Sequence, residues 1–163
     1  MILRILWLSC VMASGCSALC AGGHALREVE VAVLDGGGLC GGPDRTAGAE
    51  WISQPGRKDR LPLGGNRDAS SYPWDPSVDG LLLIQMGAQM TGGYAIELAA
   101  PVAKVRKAVA TIRVNWIEPE PGRMVTQAIT APCILLKIPK KGIDQIVVID
   151  QHGCVRFEVK TGS

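Results

Sequence analysis

The sequence predicts an all-β fold: an antiparallel β-sandwich or partly open barrel of about seven short strands, with an irregular N-terminal excursion. Short apolar or alternating runs recur along residues 79–163 at the spacing typical of such folds. The chain's 20 glycines and 10 prolines point to many turns, as in an all-β domain. With 163 residues, 47% of them hydrophobic, the chain can form one domain with a substantial core.

Composition argues against a nucleic-acid-binding protein. The formal net charge is +2, and the basic residues are scattered along the sequence rather than gathered in runs. Aromatic residues make up 4% of the chain, too few for the stacking platforms that bind single strands.

Residues 1–23 have the pattern of an export signal. Arg4 gives a short positive region, an apolar run follows over residues 5–13, and small residues come next. The apolar run is shorter than a membrane-spanning helix requires. We therefore expect an exported protein, in the periplasm or anchored at the outer membrane.

Two routes of processing are open. Residues 13–16, Ala-Ser-Gly-Cys, resemble the lipobox of bacterial lipoproteins, which implies diacylation of Cys16. Ala13 stands where that motif usually has leucine, and Ser17 fits outer-membrane sorting. The alternative is cleavage after Ala21 or Ala25, which would leave a soluble periplasmic protein.

Residues 24–78 are predicted to hold a first strand and an irregular, loop-rich segment. Alternation over residues 29–34 indicates the strand. The glycine run at residues 36–42 lacks the context of a phosphate-binding loop and is interpreted as an ordinary loop. Further along, Tyr72 and Trp74 are expected to cover an end of the sheet.

Residues 79–163 are predicted to form the main β domain, organised around residues 79–98. Residues 81–86 are almost continuously apolar, which is typical of a strand covered on both faces. A glycine-containing turn follows, and then Tyr94, Ile96 and Leu98 alternate on one face of a second strand. The simplest interpretation is a hairpin.

The remaining strands follow from periodicity. Residues 102–110 have weak helical character, whereas 108–117 alternate as a strand with Trp116 on its apolar face. A strand at 125–129 would place Gln127 on the same face as its apolar neighbours. Three closing strands are predicted at residues 134–138, 145–149 and 155–159, the last with Val155, Phe157 and Val159 facing inwards.

Export would place the cysteines in an oxidising compartment, where disulfides form. Cys10 and Cys16 are assigned to the signal, and the remaining Cys20, Cys40, Cys133 and Cys154 allow three pairings. Our first choice is Cys40–Cys133, which ties the N-terminal loop to the sheet, and our second is Cys40–Cys154. No pair has CxxC spacing, so no zinc ribbon, redox dithiol or other metal or cofactor site is predicted.

No catalytic residue is predicted. Cys133 or Cys154 paired with His152 would be the basis of a Cys–His enzyme, but no nucleophile elbow or cysteine signature surrounds either thiol. The glutamates fall on apparent solvent faces or turns, which does not favour a two-carboxylate site.

The turn at residues 90–94 is the best candidate for a partner-binding site (Met90, Thr91, Gly92, Gly93 and Tyr94). In one interpretation the loop tip docks into a partner, with Tyr94 as a rigid contact. In the other the glycines make the turn, Tyr94 packs inwards, and Met90 and Thr91 remain exposed. Gln127 is expected to support the turn in either case.

Three motifs resemble PrcB-type proteins, small exported bacterial proteins named for a lipoprotein subunit of a cell-surface protease complex. They are Thr-Gly-Gly-Tyr-Ala-Ile-Glu-Leu at 91–98, Val-Asn-Trp-Ile-Glu-Pro at 114–119 and Gln-Ala-Ile-Thr-Ala-Pro at 127–132. The resemblance covers roughly residues 79–159. It implies a non-catalytic accessory domain that binds another envelope protein, with a protease or protease-complex subunit as the nearest partner.

Two other functions stay open at this stage. The Thr-Gly-Gly-Tyr turn is distantly similar to a loop of chagasin-like protease inhibitors, which are also β-sandwiches, so loop insertion into a protease cleft is one alternative. The Cys–His enzyme is the other.

Overall fold

A computed structural model describes residues 26–40, 46–56 and 68–162. The predicted export signal, including Cys16, lies outside these ranges. Within them the chain forms ten strands and one short 3-10 turn at Ala69–Ser71. The strands are β1 (Arg27–Glu30), β2 (Ala32–Gly37), β3 (Gly48–Ile52), β4 (Asp79–Gln85), β5 (Ala95–Leu98), β6 (Val102–Arg106), β7 (Val109–Ile117), β8 (Cys133–Pro139), β9 (Gln145–Ile149) and β10 (Val155–Lys160). No helix in these ranges is long and apolar enough to cross a membrane.

The strands form two packed sheets, which confirms the predicted β-sandwich. Sheet A has the order β1-β6-β7-β9-β10, and β5 pairs with the second half of β7. Sheet B has the order β2-β8-β4-β3. All the pairs are antiparallel except β7 with β9, and the sheets do not close into a barrel.

The main core lies between the two sheets. Strand β7 shows why: Ile112, Val114 and Trp116 are buried, as the alternation predicted, while Arg113 on the opposite face is exposed. Facing them from sheet B are inward side chains of β4 and β8, among them Leu82, Ile84 and Leu136.

Sheet B also has a second apolar cluster on its outer face. Leu81, Leu83 and Leu135 point away from the main core and are fully buried there. Strands β4 and β8 are therefore covered on both faces, which the continuous apolar run at residues 81–86 predicted for β4.

Residues from the N-terminal half cover this outer face. Tyr72 is buried in the cluster and its hydroxyl donates to Oδ2 of Asp35 over 2.6 Å, while Nε1 of Trp74 donates to the Ala69 carbonyl over 2.7 Å. Both rings pack as predicted, although against a sheet face rather than a sheet end. The predicted Cys40–Cys133 disulfide joins this cover to β8, with the two Cα atoms 5.8 Å apart.

The predicted single strand at residues 29–34 is wrong, because the chain changes sheets at Val31. Val31 is buried and its N–H donates to the Pro101 carbonyl over 2.8 Å. The residues before it form β1 in sheet A and those after it form β2 in sheet B. Strands β1, β2 and β3 pair with β6, β8 and β4, so the described part of residues 24–78 contributes to both sheets.

The predicted hairpin over residues 79–98 is also wrong. Its two strands exist as β4 and β5, but β4 lies in sheet B and β5 in sheet A. The link at residues 86–94 crosses from one layer to the other and pairs with residues 126–132 instead.

Three smaller predictions fail for local reasons. Residues 102–110 are not helical but form β6 and a two-residue turn, in which Lys107 and Ala108 have φ of 50° and 62°. Residues 125–129 form no strand, and only an isolated bridge joins Thr130 to Gln89. Val155 is exposed, because the β9–β10 register shifts between Val155 and Phe157.

Gly80 provides a test of the packing between sheet B and the main core. A Cβ atom at this position would overlap the ring of Trp51, which lies across the glycine. Gly80→Ala should therefore destabilise the protein by about 1–3 kcal/mol through overpacking. The measurement is urea unfolding. Gly48→Ala is the matched control, because a Cβ there meets nothing within 4 Å; equal stability of the two variants would contradict the packing described.

Candidate functional site

The candidate site is one end of the sandwich, formed by residues 38–40, 86–94 and 123–132 and called here the loop end. Backbone hydrogen bonds join its two longer segments: Gln89 and Thr130 exchange N–H···O bonds of 2.7 and 2.9 Å, and the Gly92 N–H donates to the Thr126 carbonyl over 2.8 Å. The Thr130 hydroxyl adds a bond of 2.8 Å to the Thr91 carbonyl. The two segments therefore hold each other in place.

The shorter segment ties the loop end to the disulfide. The Ala131 N–H donates to the Gly38 carbonyl over 2.7 Å, and the Cys40 N–H donates to the Ala131 carbonyl over 2.8 Å. Because Cys40 and Cys133 are bonded, the disulfide lies directly at the base of the loop end.

Several large apolar side chains of the loop end face solvent. Met90 is 78% exposed and Met124 is 98% exposed, and Leu39 and Ile129 are exposed as well. Next to Met124 is an open cleft of about 570 Å³, lined by Gly93, Ile117, Glu118, Pro119, Glu120, Arg123, Met124, Val125 and Thr126. Flexible, polarizable methionines on a loop surface are typical of protein-binding sites.

The predicted site residues fall into two groups, one exposed to solvent and one packed within the protein. Met90 is on the surface, whereas Tyr94 is half-buried and packs against the main core. Gly93 has φ of +91°, and a Cβ there would lie 3.1 Å from side-chain atoms of Pro119 and Val125. The glycines thus serve close packing of two loops of the same chain. The inhibitor hypothesis needs the aromatic ring at the tip, and this geometry does not favour it.

Gln127 does not have the predicted position. Its side chain is exposed, and Nε2 donates to the Val125 carbonyl over 3.3 Å within the same loop. The contacts to the 86–94 segment come from Thr126 and Thr130. The expectation of a half-buried amide followed from strand alternation, which does not apply in this loop.

Trp116 stands below the loop end and is buried, as predicted. Its backbone N–H donates to Oε1 of Gln151 over 2.8 Å, and Nε2 of Gln151 donates back to the Trp116 carbonyl over 3.0 Å. Phe157 contacts the indole with ring centroids 5.9 Å apart, and the Arg156 guanidinium lies 4.9 Å from the ring centroid. The sequence does not reveal this role of Gln151, because nothing marks a turn glutamine as the partner of a strand backbone.

Asp150 organises the turn that carries His152 and Cys154. Its Oδ1 accepts the N–H groups of His152 and Cys154, and its Oδ2 accepts Nε of Arg156, each over 2.9 Å. Burial of the carboxylate opposes ionisation, but the donors outweigh it and hold the pKa of Asp150 below its ordinary value. Its stabilising contribution is therefore present at neutral pH and is lost as the pH falls through the lowered pKa.

The cysteines are not arranged as a catalytic pair in the described residues. Cys133 is bonded to Cys40, and Cys154 is an exposed free thiol in the Asp150 turn. His152 and Cys154 share Asp150 through their backbone N–H groups. Over the ranges that the structure covers, no group of three or more His, Cys, Asp or Glu side chains is placed to hold a metal ion.

The contacts at the loop end predict different effects for two neighbouring substitutions. Thr130→Val removes the hydroxyl that donates to the Thr91 carbonyl. It should lower the free energy of unfolding by about 1 kcal/mol and speed amide hydrogen exchange at residues 89–92. Gln127→Leu is the control and should change neither, since Gln127 contacts only its own loop. Urea unfolding and hydrogen exchange followed by mass spectrometry measure both effects. A larger effect of Gln127→Leu would contradict the contacts described.

Comparison with known proteins supports the resemblance inferred from the motifs. The model of the family described as PrcB C-terminal matches residues 81–139, from β4 to the end of β8. The match ends short of residue 159, so β9 and β10 lie beyond it, as do β1, β2 and β3. No curated protein and no solved structure matches the chain. Residues 81–139, which include the two longer segments of the loop end between β4 and β8, are thus similar to the PrcB C-terminal family.

Proposed function

We propose that the protein is an exported, non-catalytic accessory domain, lipid-anchored through Cys16, that binds another envelope protein through the loop end. The observation that carries this proposal is the exposure of Met90 and Met124 on loops held by hydrogen bonds to each other. Such a surface can bury apolar area against a partner with little loss of backbone freedom, because the loops are already ordered.

The family match supports one class of partner within this proposal. PrcB-type proteins are named for a protease-complex subunit, so a protease or a component of its complex is the nearest candidate. The match includes residues 86–94 and 123–132, both longer segments of the loop end. This agrees with the proposed role of the loop end in binding the partner protein.

The non-catalytic part of the proposal rests on the cysteines. A nucleophilic role for Cys133 would require reduction of the disulfide at the base of the loop end. The exposed Cys154 has no described contact that would orient a histidine ring towards its sulfur.

Site-specific crosslinking in the native envelope tests the proposal. A photoreactive residue in place of Met90 or Met124 should yield an adduct with one common partner. Val78 is the matched control, because it is 57% exposed but precedes β4 at the opposite end of the sandwich. Adducts from Val78 that equal those from the methionines, or none from either methionine, would contradict the proposal.

The same surface predicts a loss of affinity for that partner. Met90→Asp combined with Met124→Asp should weaken binding by at least about tenfold, because charge is placed in an apolar contact region. Val78→Asp should leave the affinity unchanged. Binding of the purified protein to the crosslinked partner, measured by calorimetry, gives both values.

A further inference from the structure

The outer face of sheet A carries a second surface, remote from the loop end. A shallow groove of about 480 Å³ lies across β6 and β7, and its lining includes Leu26, Val102, Lys104, Arg106, Thr111 and Arg113. We call it the basic groove.

Strand alternation brings these side chains to one face. On β6, Ala103 and Val105 are buried in the main core, so Lys104 and Arg106 point outwards. On β7, Ala110 and Ile112 are buried, so Thr111 and Arg113 point outwards too. Lys104 and Thr111 are direct cross-strand partners, which places the two outward rows side by side.

The groove has an excess of positive charge. Lys104, Arg106 and Arg113 line it, and Lys107 is exposed in the adjoining turn. On the neighbouring β1, Glu28 stands opposite Lys104 and Glu30 opposite Val102. Two further acidic residues have neutral neighbours: Glu97 on β5 stands opposite Asn115, and Glu158 on β10 accepts a hydrogen bond from Gln145.

Among the residues that the structure describes, these four cations have no ion-pair partner. In the described part of the chain one salt bridge is formed, between Arg156 and Asp150, and it involves none of them. Their positive charge is therefore available to an external anion.

The charges are spread too widely for one small anion. Arg106 is opposite Val109, and Arg113 lies four residues further along β7. With about 3.3 Å per residue and 4.8 Å between strands, their Cα atoms are roughly 14 Å apart. That spacing exceeds the size of a single phosphate and suits a surface that presents several anionic groups.

Aliphatic side chains stand among the cations. Leu26 is 60% exposed and Val102 is 41% exposed, on the same face as Lys104. Apolar side chains flanked by Lys and Arg are typical of surfaces that lie in the headgroup region of an anionic bilayer. Of the described residues that line the groove, none has an aromatic side chain on which a nucleobase could stack.

We propose that the basic groove docks on an anionic phospholipid surface. The cations face the lipid phosphates, and Leu26 and Val102 enter the boundary between headgroups and acyl chains. The groove lies at the N-terminal half of β7, and the loop end lies beyond the C-terminus of that strand. A test can therefore reject membrane docking without rejecting partner binding at the loop end, and the reverse. This inference does not rest on the proposed function.

Vesicle co-sedimentation tests the inference. The full chain is mixed with vesicles of phosphatidylcholine alone, or with about one third phosphatidylglycerol. All the variants share the same N-terminus, so differences in binding between them do not come from it. Arg106→Gln and Arg113→Gln should each weaken binding to anionic vesicles about fivefold, and the double variant about 25-fold. Added salt at about 0.5 M should have a similar effect on the wild type.

Arg123→Gln is the matched control, because it removes the same charge at the loop end and should change binding less than about twofold. Equal binding to neutral and anionic vesicles, or an equal loss with Arg123→Gln, would overturn the proposal. So would binding to polyglutamate without binding to anionic vesicles, since that would indicate an acidic protein partner. Thermal unfolding of each variant confirms that the fold is intact.

Discussion

The structure depends on the burial of β4 and β8 on both of their faces. Leu82, Ile84 and Leu136 fill the main core, while Leu81, Leu83 and Leu135 would be exposed on the other face without a cover. Burying a side chain of this size contributes about 1.5–3 kcal/mol, so the outer cluster is a major part of the fold. The N-terminal half supplies its cover, and the Cys40–Cys133 disulfide holds that cover to the sheet.

This constraint also sets the position of the proposed partner-binding surface. The disulfide begins β8 at the point where the 123–132 loop ends, and the backbone around it pairs with residues 38–40 and 86–89. These contacts hold the loops that carry the exposed side chains of Met90 and Met124. The basic groove lies on the outer face of sheet A over the N-terminal half of β7, so the fold provides two separate surfaces: a loop end with exposed apolar side chains and a cationic sheet face.

The sequence predicted burial well and connectivity poorly. Continuous apolar runs indicated β4 and β8, and alternation placed Trp116 in the core, because these patterns report which side chains avoid water. They do not report which sheet a strand joins, so β4 and β5 were interpreted as a hairpin although they lie in different layers. Strand β6 was missed because its tight turn consists of Lys107 and Ala108, without the glycine or asparagine that marks such turns. Gln127 was misplaced because alternation was applied to a loop with one bridge.

Hydrogen exchange of a variant without the disulfide tests the central claim most directly. In the Cys40→Ala, Cys133→Ala protein we expect faster exchange at residues 38–40, 86–92 and 130–132, continued protection of β7, and a loss of roughly 2–4 kcal/mol in unfolding free energy. Cys154→Ala is the control, since that thiol is exposed and free. Unchanged exchange at the loop end would contradict the claim that the disulfide-bound cover of sheet B holds the candidate binding surface in place.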